Sequence, residues 1–362
     1  MTCMERFKRF IRRPLENRGF LKIPPGRVRR PEGVALCRIF DLASQQDQSS
    51  AYAYLLNRRP MLYDTERECW IAVGYASVME GLRNEEWFSN EYSSHFDPFL
   101  AGSTGEVHSH FRRVVQQSAD WFDRPSIERF ATQWTSSFCQ QAVLEGGFDA
   151  VRDLGIPLPR AFTVDMLGLE PDEVKLITDA LRPQRVEINQ ALQSVGCAIA
   201  SIMQERRKAP KARSGILDKL MDRHAYNQLS DEQIISLTRH LWFAGTVTLS
   251  GLLPACAVRL AHDRATTSRL RENLSLIPSF VSEILRLESI TQFVPRKCIR
   301  DIHFAGHQLN HGDLILLHLG AANRILQYFT LPIHCCSNAH PTSISPLGLV
   351  AMSALGASLQ GR

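Results

Sequence analysis

The stretch Leu241–Val258, LWFAGTVTLSGLLPACAV, carries no charge in a chain of which 22% of the residues are charged. Its length reaches the lower limit for a membrane-spanning helix. Two glycines, one proline and three hydroxyl side chains dilute its apolar character, however. We therefore expect a long helix that is buried through the middle of a large soluble domain, with the remaining elements packed around it.

Within this stretch, Gly245 is followed three residues later by Thr248. This spacing leaves a notch on the helix with a hydroxyl beside it, where a small ligand could lie. The alternative is a glycine used for close helix packing and a threonine whose hydroxyl bonds to the carbonyl four residues earlier. On these residues alone the packing interpretation is favoured.

The overall composition is that of a globular protein. The chain has 362 residues, of which 44% are hydrophobic, enough for a sizeable core. The net charge of +5 is mild, but ten Lys or Arg residues stand between Arg6 and Arg30 against the single acid Glu16. We interpret residues 1–40 as a basic, solvated arm that lacks the apolar core of a signal peptide, and we expect a cytoplasmic protein.

The nine cysteines are odd in number and irregular in spacing, which excludes a disulfide framework. The adjacent pair Cys335 and Cys336 lacks the spacing of zinc or c-type haem motifs. The cysteines by themselves therefore indicate no metal site.

Two charged patterns indicate buried or anion-binding positions. His108 and Arg112 stand four apart in a predicted helix from Glu106 to Phe122, so they share a face and repel each other unless an anion lies between them. A solvated basic face is the alternative. Glu283 and Arg286 stand three apart in an apolar helix turn, a spacing that predicts an ion pair.

The remaining pattern is mostly helical. Helical periodicity runs through Ile127–Glu145 and again from Pro157 to Gln204, and a charged linker is predicted for Glu205–Lys211. Ser230 and Gln233 form a capping box before the central stretch. Short alternating runs at Ile302–Phe304 and Leu314–Leu317 predict a small β-sheet.

The order of these motifs along the chain is more specific than any of them alone. Together they resemble a bacterial cytochrome P450 over roughly residues 50–324, and the pair of Glu283 and Arg286 followed by the later motifs is the most specific part. The motifs are, in order, His108-x-x-x-Arg112-Arg113, Ala244-Gly245-x-x-Thr248, Glu283-x-x-Arg286, Arg296 and Ala322-Asn323-Arg324.

This resemblance implies one large, mostly α-helical domain with small β-sheets over residues 41–324, holding haem b. It implies that Gly245 and Thr248 form the groove where oxygen and protons are handled, and that Glu283 and Arg286 brace the haem loop. Substrate contacts would come from Trp87–Phe99, Leu181–Leu192 and Phe293-Val294. The residues that match the haem propionate positions are His108, Arg112 and Arg296.

The sequence departs from the family pattern at two places. Val247 stands where the family usually has an acid, so one proton relay is absent. The cysteine whose thiolate holds the haem iron has no counterpart, because Ala354 occupies its expected position. Cys335 and Cys336 lie about eighteen residues too early to replace it by simple alignment.

The tail from Ile325 to Arg362 differs in character from the rest of the chain. Its 38 residues contain no Asp, Glu or Lys and only the terminal Arg, whereas 22% charge would give about eight. One base out of register, the codons available to Ile325–Phe329 can encode Asp-Pro-Ala-Ile-Phe, and those for Ile344–Leu355 can encode a haem-cysteine loop. Our hypothesis is a reading-frame slip near codon 324.

The leading functional hypothesis is a haem-thiolate monooxygenase that inserts one oxygen atom into a small apolar substrate. Its electrons would come from NAD(P)H through a ferredoxin-type or reductase partner, and we expect activity to be impaired or absent without the cysteine. The alternative is a non-catalytic helical protein that binds haem or an apolar ligand. We expect no nucleic-acid partner and no integral membrane segment.

Overall fold

The computed structural model describes residues 48–58, 60–91, 97–118, 124–181, 188–211, 213–225 and 229–325. The basic arm 1–40, the tail beyond Ile325 and the predicted thiolate position Ala354 lie outside these ranges. The chain divides into two compact units. Unit 1 contains the described parts of Met1–Tyr92 and Arg259–Ser353, and unit 2 contains those of Ser93–Val258.

Helices dominate the described part of the chain, and short strands are interspersed with them. The helices are α1 Gln48–Leu56, α2 Tyr75–Arg83, α3 Gly105–Ser118, α4 Arg124–Leu144, α5 Pro157–Leu167, α6 Pro171–Ala180, α7 Ile188–Lys208, α8 Ile216–Ala225, α9 Asp231–Val247, α10 Leu249–His262, α11 Arg264–Glu272, α12 Ile277–Glu288 and α13 Leu319–Ala322. The strands are β1 Met61–Asp64, β2 Cys69–Ala72, β3 Phe88–Ser89, β4 Val294–Cys298, β5 Ile302–Phe304, β6 His307–Leu309 and β7 Leu314–Leu317.

Unit 2 is a helical unit in which α9 packs against α5, α7 and α8. Local sequence signals explain where several of its helices begin. Ser230 and Gln233 form the predicted capping box of α9, and Glu170 and Glu173 form a second one at α6. The apolar faces of α3, α5, α7, α8 and α9 contribute to one buried cluster, which includes Phe111, Leu167 and Leu237.

Unit 1 contains both sheets. The larger sheet has the strand order β1-β2-β7-β4-β3, in which β2 and β7 are parallel and the other neighbours are antiparallel. Strands β5 and β6 pair as a separate antiparallel ribbon. Strands β2 and β7 are buried along their whole length, as their continuous apolar sequences predict.

The predicted fold class, mostly α with small β-sheets, is confirmed. The expectation of one small sheet at the end was too simple, because Ile302–Phe304 pairs with His307–Leu309 whereas Leu314–Leu317 joins the larger sheet. The glycines at 306 and 312 separate these runs with positive φ angles of 84° and 90°, which allows the sharp reversals.

The charged linker predicted for Glu205–Lys211 is wrong, because α7 continues to Lys208. Its charges are partly paired within the unit rather than solvated. The Arg206 side chain is only 2% exposed and forms ion pairs with Glu173 at 2.5 Å and Asp218 at 2.7 Å. Arg206 Nε also donates to the second Glu173 oxygen at 2.8 Å. Together these three carboxylate contacts compensate the cost of burying a guanidinium.

The central stretch is less regular and less buried than predicted. It forms α9 and α10, which meet at Thr248, and residues 243–250 are half-buried. Small residues at this position reduce the area that neighbouring side chains can cover. By length and composition alone, Asp231–His262 could cross a membrane, and 28% of its most apolar window is buried.

Candidate functional site

The predicted propionate-binding cations on α3 lie at the margin of the buried face of that helix. Phe111, Val114 and Val115 are buried in the core of unit 2. His108 and Arg112 are half-buried beside them, whereas Arg113 is exposed. The shared face that the four-residue spacing predicts is therefore present, and the neighbouring arginine points to solvent.

Arg296 lies on β4 in unit 1, between strands β3 and β7. Its guanidinium Nη1 donates to the adjacent Pro295 carbonyl at 2.9 Å. Burial lowers the pKa of Arg296 to about 10, and the distant charge of Glu85 only partly opposes this. Among the described residues no carboxylate forms an ion pair with it, so the arrangement favours an anionic group from elsewhere.

Gly245 and Thr248 show both features of the packing interpretation. The Thr248 hydroxyl donates to the Ala244 carbonyl at 2.9 Å. A side chain at Gly245 would collide with the Thr163 hydroxyl of α5, so glycine is required for this close approach. The helix is interrupted at Thr248 itself, and Val247 beside it has no acid or hydroxyl to offer.

Glu283 and Arg286 form the pair that their spacing predicts. Arg286 Nε and Nη2 donate to the two Glu283 carboxylate oxygens at 2.8 and 2.6 Å. Arg286 Nη1 donates to the Asn323 carbonyl at 2.7 Å, and the Asn323 amide donates to Ser289 Oγ at 3.0 Å. The pair thus ties the end of α12 to the end of α13, directly before the tail.

Sequence reasoning missed a second polar group at the same end of unit 1. The Arg324 guanidinium stacks on the Tyr52 ring, 3.7 Å from its centroid, and the Tyr52 hydroxyl donates to Gln292. Burial, and secondarily the Arg324 charge, lowers the pKa of the neighbouring His318 to about 4. No short-range spacing links Tyr52 to Gln292, which are 240 positions apart.

Sequence reasoning also missed a buried carboxylate, Asp97, in unit 2. It contacts the start of the α3 segment and the first half of α9. The one local signal is the Asp97-Pro98 dipeptide, which is typical of a turn. Its partners on α9 are 139 positions or more away and could not be found by spacing.

Two of the described cysteines are buried and have raised thiol pKa values. Cys69 and Cys298 are buried in the larger sheet. Burial raises the pKa of the Cys298 thiol to about 11, and it raises that of Cys69 still further. Cys139 and Cys197 are exposed on α4 and α7. A thiolate requires a depressed thiol pKa, so neither buried sheet cysteine suits an iron ligand.

The predicted residues are divided between the two units. His108, Arg112, Gly245 and Thr248 belong to unit 2, whereas Arg296 and the Glu283–Arg286 pair belong to unit 1. Ala354, Cys335 and Cys336 lie outside the described residues. Among the described residues, no cluster of three His, Cys, Asp or Glu side chains could hold a metal ion.

Comparison with known proteins gives consistent results. The profile of the family Cytochrome P450 matches residues 171–333. Over 278 residues, the chain is 27% identical to the polyketide biosynthesis cytochrome P450 PksS of Bacillus subtilis, with 73% of this chain and 66% of PksS covered. It is 24% identical to cytochrome P450 109 of Bacillus spizizenii over 300 residues, which cover 78% of this chain and 73% of that protein.

Solved structures agree in fold. The crystal structure of CYP109E1 from Bacillus megaterium in complex with testosterone superimposes with a TM-score of 0.72 at 23% identity, covering 86% of this chain and 89% of that one. An epothilone B-bound P450epoK also gives a TM-score of 0.72, at 20% identity. The family match, the relatives and the shared fold agree that this chain is similar to bacterial cytochromes P450.

Proposed function

We propose that this chain derives from a monooxygenase that uses haem b, and that as translated it lacks the thiolate which such chemistry requires. The observation that carries the proposal is the Arg296 guanidinium. It is desolvated enough to lower its pKa to about 10, and no carboxylate forms an ion pair with it in the described part of the chain. The cytochrome P450 relatives support haem as the missing anionic partner.

The described residues fit the carboxylates of haem. We infer that Arg296 of unit 1 would pair with a propionate, since a guanidinium pairs with a carboxylate by charge-assisted hydrogen bonds. For His108 and Arg112 of unit 2, the same role is proposed from the resemblance to the family. When bound, haem supplies the redox chemistry that activates oxygen. Neither of the buried sheet cysteines, Cys69 and Cys298, suits the thiolate that such a haem protein would require.

Gly245 and Thr248 are proposed to shape the oxygen groove. The Thr248 hydroxyl on this half-buried segment of the helix supports this. In this interpretation Thr248 passes protons, and Gly245 shapes the helix surface beside it by allowing the close approach of Thr163. Val247 cannot serve as a second proton donor, so proton delivery would be slower than with an acid at that position.

The proposed substrate is small and apolar, and the proposed electron donor is a ferredoxin or reductase. Both follow from the family, and a cytoplasmic location is proposed on the same basis. The B. megaterium relative was crystallised with testosterone, but its 23% identity carries only the fold over to this chain. The matched relatives support a monooxygenase ancestry over the non-catalytic alternative.

Charge-reversed variants test the proposed cations. We expect Arg296→Glu and Arg112→Glu to lower haem retention at least about tenfold, because each would place a carboxylate against a propionate. Arg113→Glu is the matched control, since Arg113 is exposed next to Arg112. The measurement is haem per protein after reconstitution with haemin and gel filtration.

Equal haem content in the three variants and the parent would reject the assignment. Circular dichroism of each variant checks that the helical fold is retained, so that a loss of haem is not a loss of structure. A parent chain that retains no haem at all would count against the whole proposal.

A further inference from the structure

Asp97 is a buried carboxylate with both oxygens occupied. Its residue exposure is 0%. Oδ1 accepts from the Phe99 N–H and from Ser236 Oγ, each at 3.0 Å. Oδ2 accepts from the N–H groups of Leu100 and Ala101 at 3.1 and 3.0 Å. One side chain thus bonds both the turn that leads into α3 and a residue of α9.

His240 adds a second contact from α9. It follows Ser236 by four residues, so both lie on one face of the helix. Its Nδ1 is 3.2 Å from Asp97 Oδ2, and its side chain is 5% exposed. Burial alone would raise the pKa of Asp97, but His240 and the backbone N–H groups outweigh burial and hold it below the usual range. Asp97 is therefore a charged acceptor at neutral pH, and its hydrogen bonds are of the strong, charge-assisted kind.

The turn that Asp97 holds is packed directly on α3. The Phe99 ring lies against the Phe111 ring, with 5.1 Å between centroids. Ser103 Oγ donates to the Phe99 carbonyl at 2.5 Å, which closes the turn just before the helix begins. Phe111 immediately precedes Arg112. A displacement of the turn would therefore be transmitted to the cation-bearing face of α3.

On α9, Ser236 and His240 contact Asp97, and the helix continues from them to the proposed oxygen groove. His240 stands five residues before Gly245 on the same helix, and α9 remains regular up to Val247. Because a regular helix transmits a displacement along its axis, the anchor at Ser236 and His240 fixes the position of this segment relative to the turn.

We propose that Asp97 is a positioning residue that fixes α3, with His108 and Arg112, against α9, with Gly245. The expected effect of Asp97 on haem binding rests on the proposed function, whereas its role in holding the turn before α3 against α9 does not. The alternative is that Asp97 only stabilises unit 2 as a whole, as any buried ion pair does. The two interpretations differ in which backbone amides become exchangeable when the carboxylate is lost.

Hydrogen exchange of the full chain, followed by mass spectrometry, distinguishes them. In Asp97→Asn, which retains the shape but cannot accept all these bonds, we expect exchange over residues 99–118 to rise at least about tenfold. Glu173→Gln is the matched control, since Glu173 pairs with the buried Arg206 elsewhere in the unit. There the increase should be confined to α6 and α7.

Ser236→Ala is a milder second variant in case Asp97→Asn does not fold. It removes one bond from α9 and leaves the backbone bonds of the turn, so a smaller rise over the same residues 99–118 is expected. Unchanged protection of 99–118 in the folded variants would overturn the proposal. So would a uniform rise across all helices, because that is the result expected of general destabilisation.

A haemin titration of the same proteins addresses the proposed function separately. If the parent binds haemin, Asp97→Asn should weaken that binding at least about tenfold while Glu173→Gln leaves it within about twofold. A parent that binds none would reject the proposed cofactor site, and the exchange data would still decide the role of Asp97.

Discussion

Arg286 illustrates how a single buried charge is accommodated in this fold. Its side chain is 4% exposed, and its donors are taken by both Glu283 oxygens and by the Asn323 carbonyl. Breaking such a pair by removing one partner is costly, because the remaining charge stays buried without compensation.

We therefore expect Glu283→Ala to lower the free energy of unfolding by about 3–5 kcal/mol. The measurement is the urea midpoint of the purified protein. Glu288→Gln is the control, since Glu288 is exposed on the same helix and should shift the midpoint little. Equal midpoints for Glu283→Ala and the parent would show that the pair does not carry this stability.

The sequence predicted individual residues well where their partners are close along the chain. The spacing of Glu283 and Arg286 predicted their pair because neighbouring helix turns bring such residues together. Asp97 and Ser236 could not be paired in this way, since 139 positions separate them and only the tertiary fold brings them together.

At the scale of elements, the close contact between α5 and α9 requires a glycine at position 245, which has no side chain. A Cβ at Gly245 would collide with Thr163, so Gly245→Ala should force the two helices apart and cost about 1–3 kcal/mol. Thr163→Ala in the same chain should recover much of this loss. Chemical denaturation of the four proteins measures the coupling. Additive effects would show that the two residues do not compete for space.

The start of α13 gives a pH-dependent prediction. His318 accepts from the Ala321 N–H through Nδ1 and is buried, and its pKa is lowered to about 4. Since its unfolded pKa is about 6.5, the unfolded chain binds the proton more readily between these values. His318 therefore contributes stability that is fully present above pH 6.5 and is lost as the pH falls towards 4.

From pH 7 to pH 5 we expect the parent to lose about 2 kcal/mol more than His318→Asn does. Asparagine retains an acceptor for the helix start but cannot titrate. Urea unfolding at the two pH values gives the difference. An equal loss in both proteins would show that the pKa of His318 is not depressed in the folded state.

Helix starts were predicted more reliably than helix interruptions. The capping box of Ser230 and Gln233 is local, and it is present at α9. The interruption at Thr248, where the backbone keeps helical angles, has no comparable local signal. The supposed linker at 205–211 was wrong for a related reason, since its charge run contains an arginine that is buried by distant acids.

At the scale of the whole molecule, the described chain retains the family fold up to Ile325. The solved structure from B. megaterium covers 86% of this chain, and the chain spans 66% of the length of PksS. Composition changes at the same point, since no Asp, Glu or Lys occurs from Ile325 onward. This change in composition supports the hypothesis that the frame slips near codon 324, where the thiolate-bearing loop should follow.

The central proposal is that this chain has the cytochrome P450 fold but lacks the cysteine that would bind the haem iron. The most direct measurement is the reduced, carbon monoxide-bound difference spectrum of haem-reconstituted protein, for the chain as written, for Ala354→Cys and for a frame-restored version after Asn323. We expect no thiolate signature from the chain as written, a weaker one from Ala354→Cys because the loop that shields the sulfur is absent, and a full one after restoration. A thiolate signature in the unmodified chain would contradict the claim and would direct attention to Cys335 and Cys336.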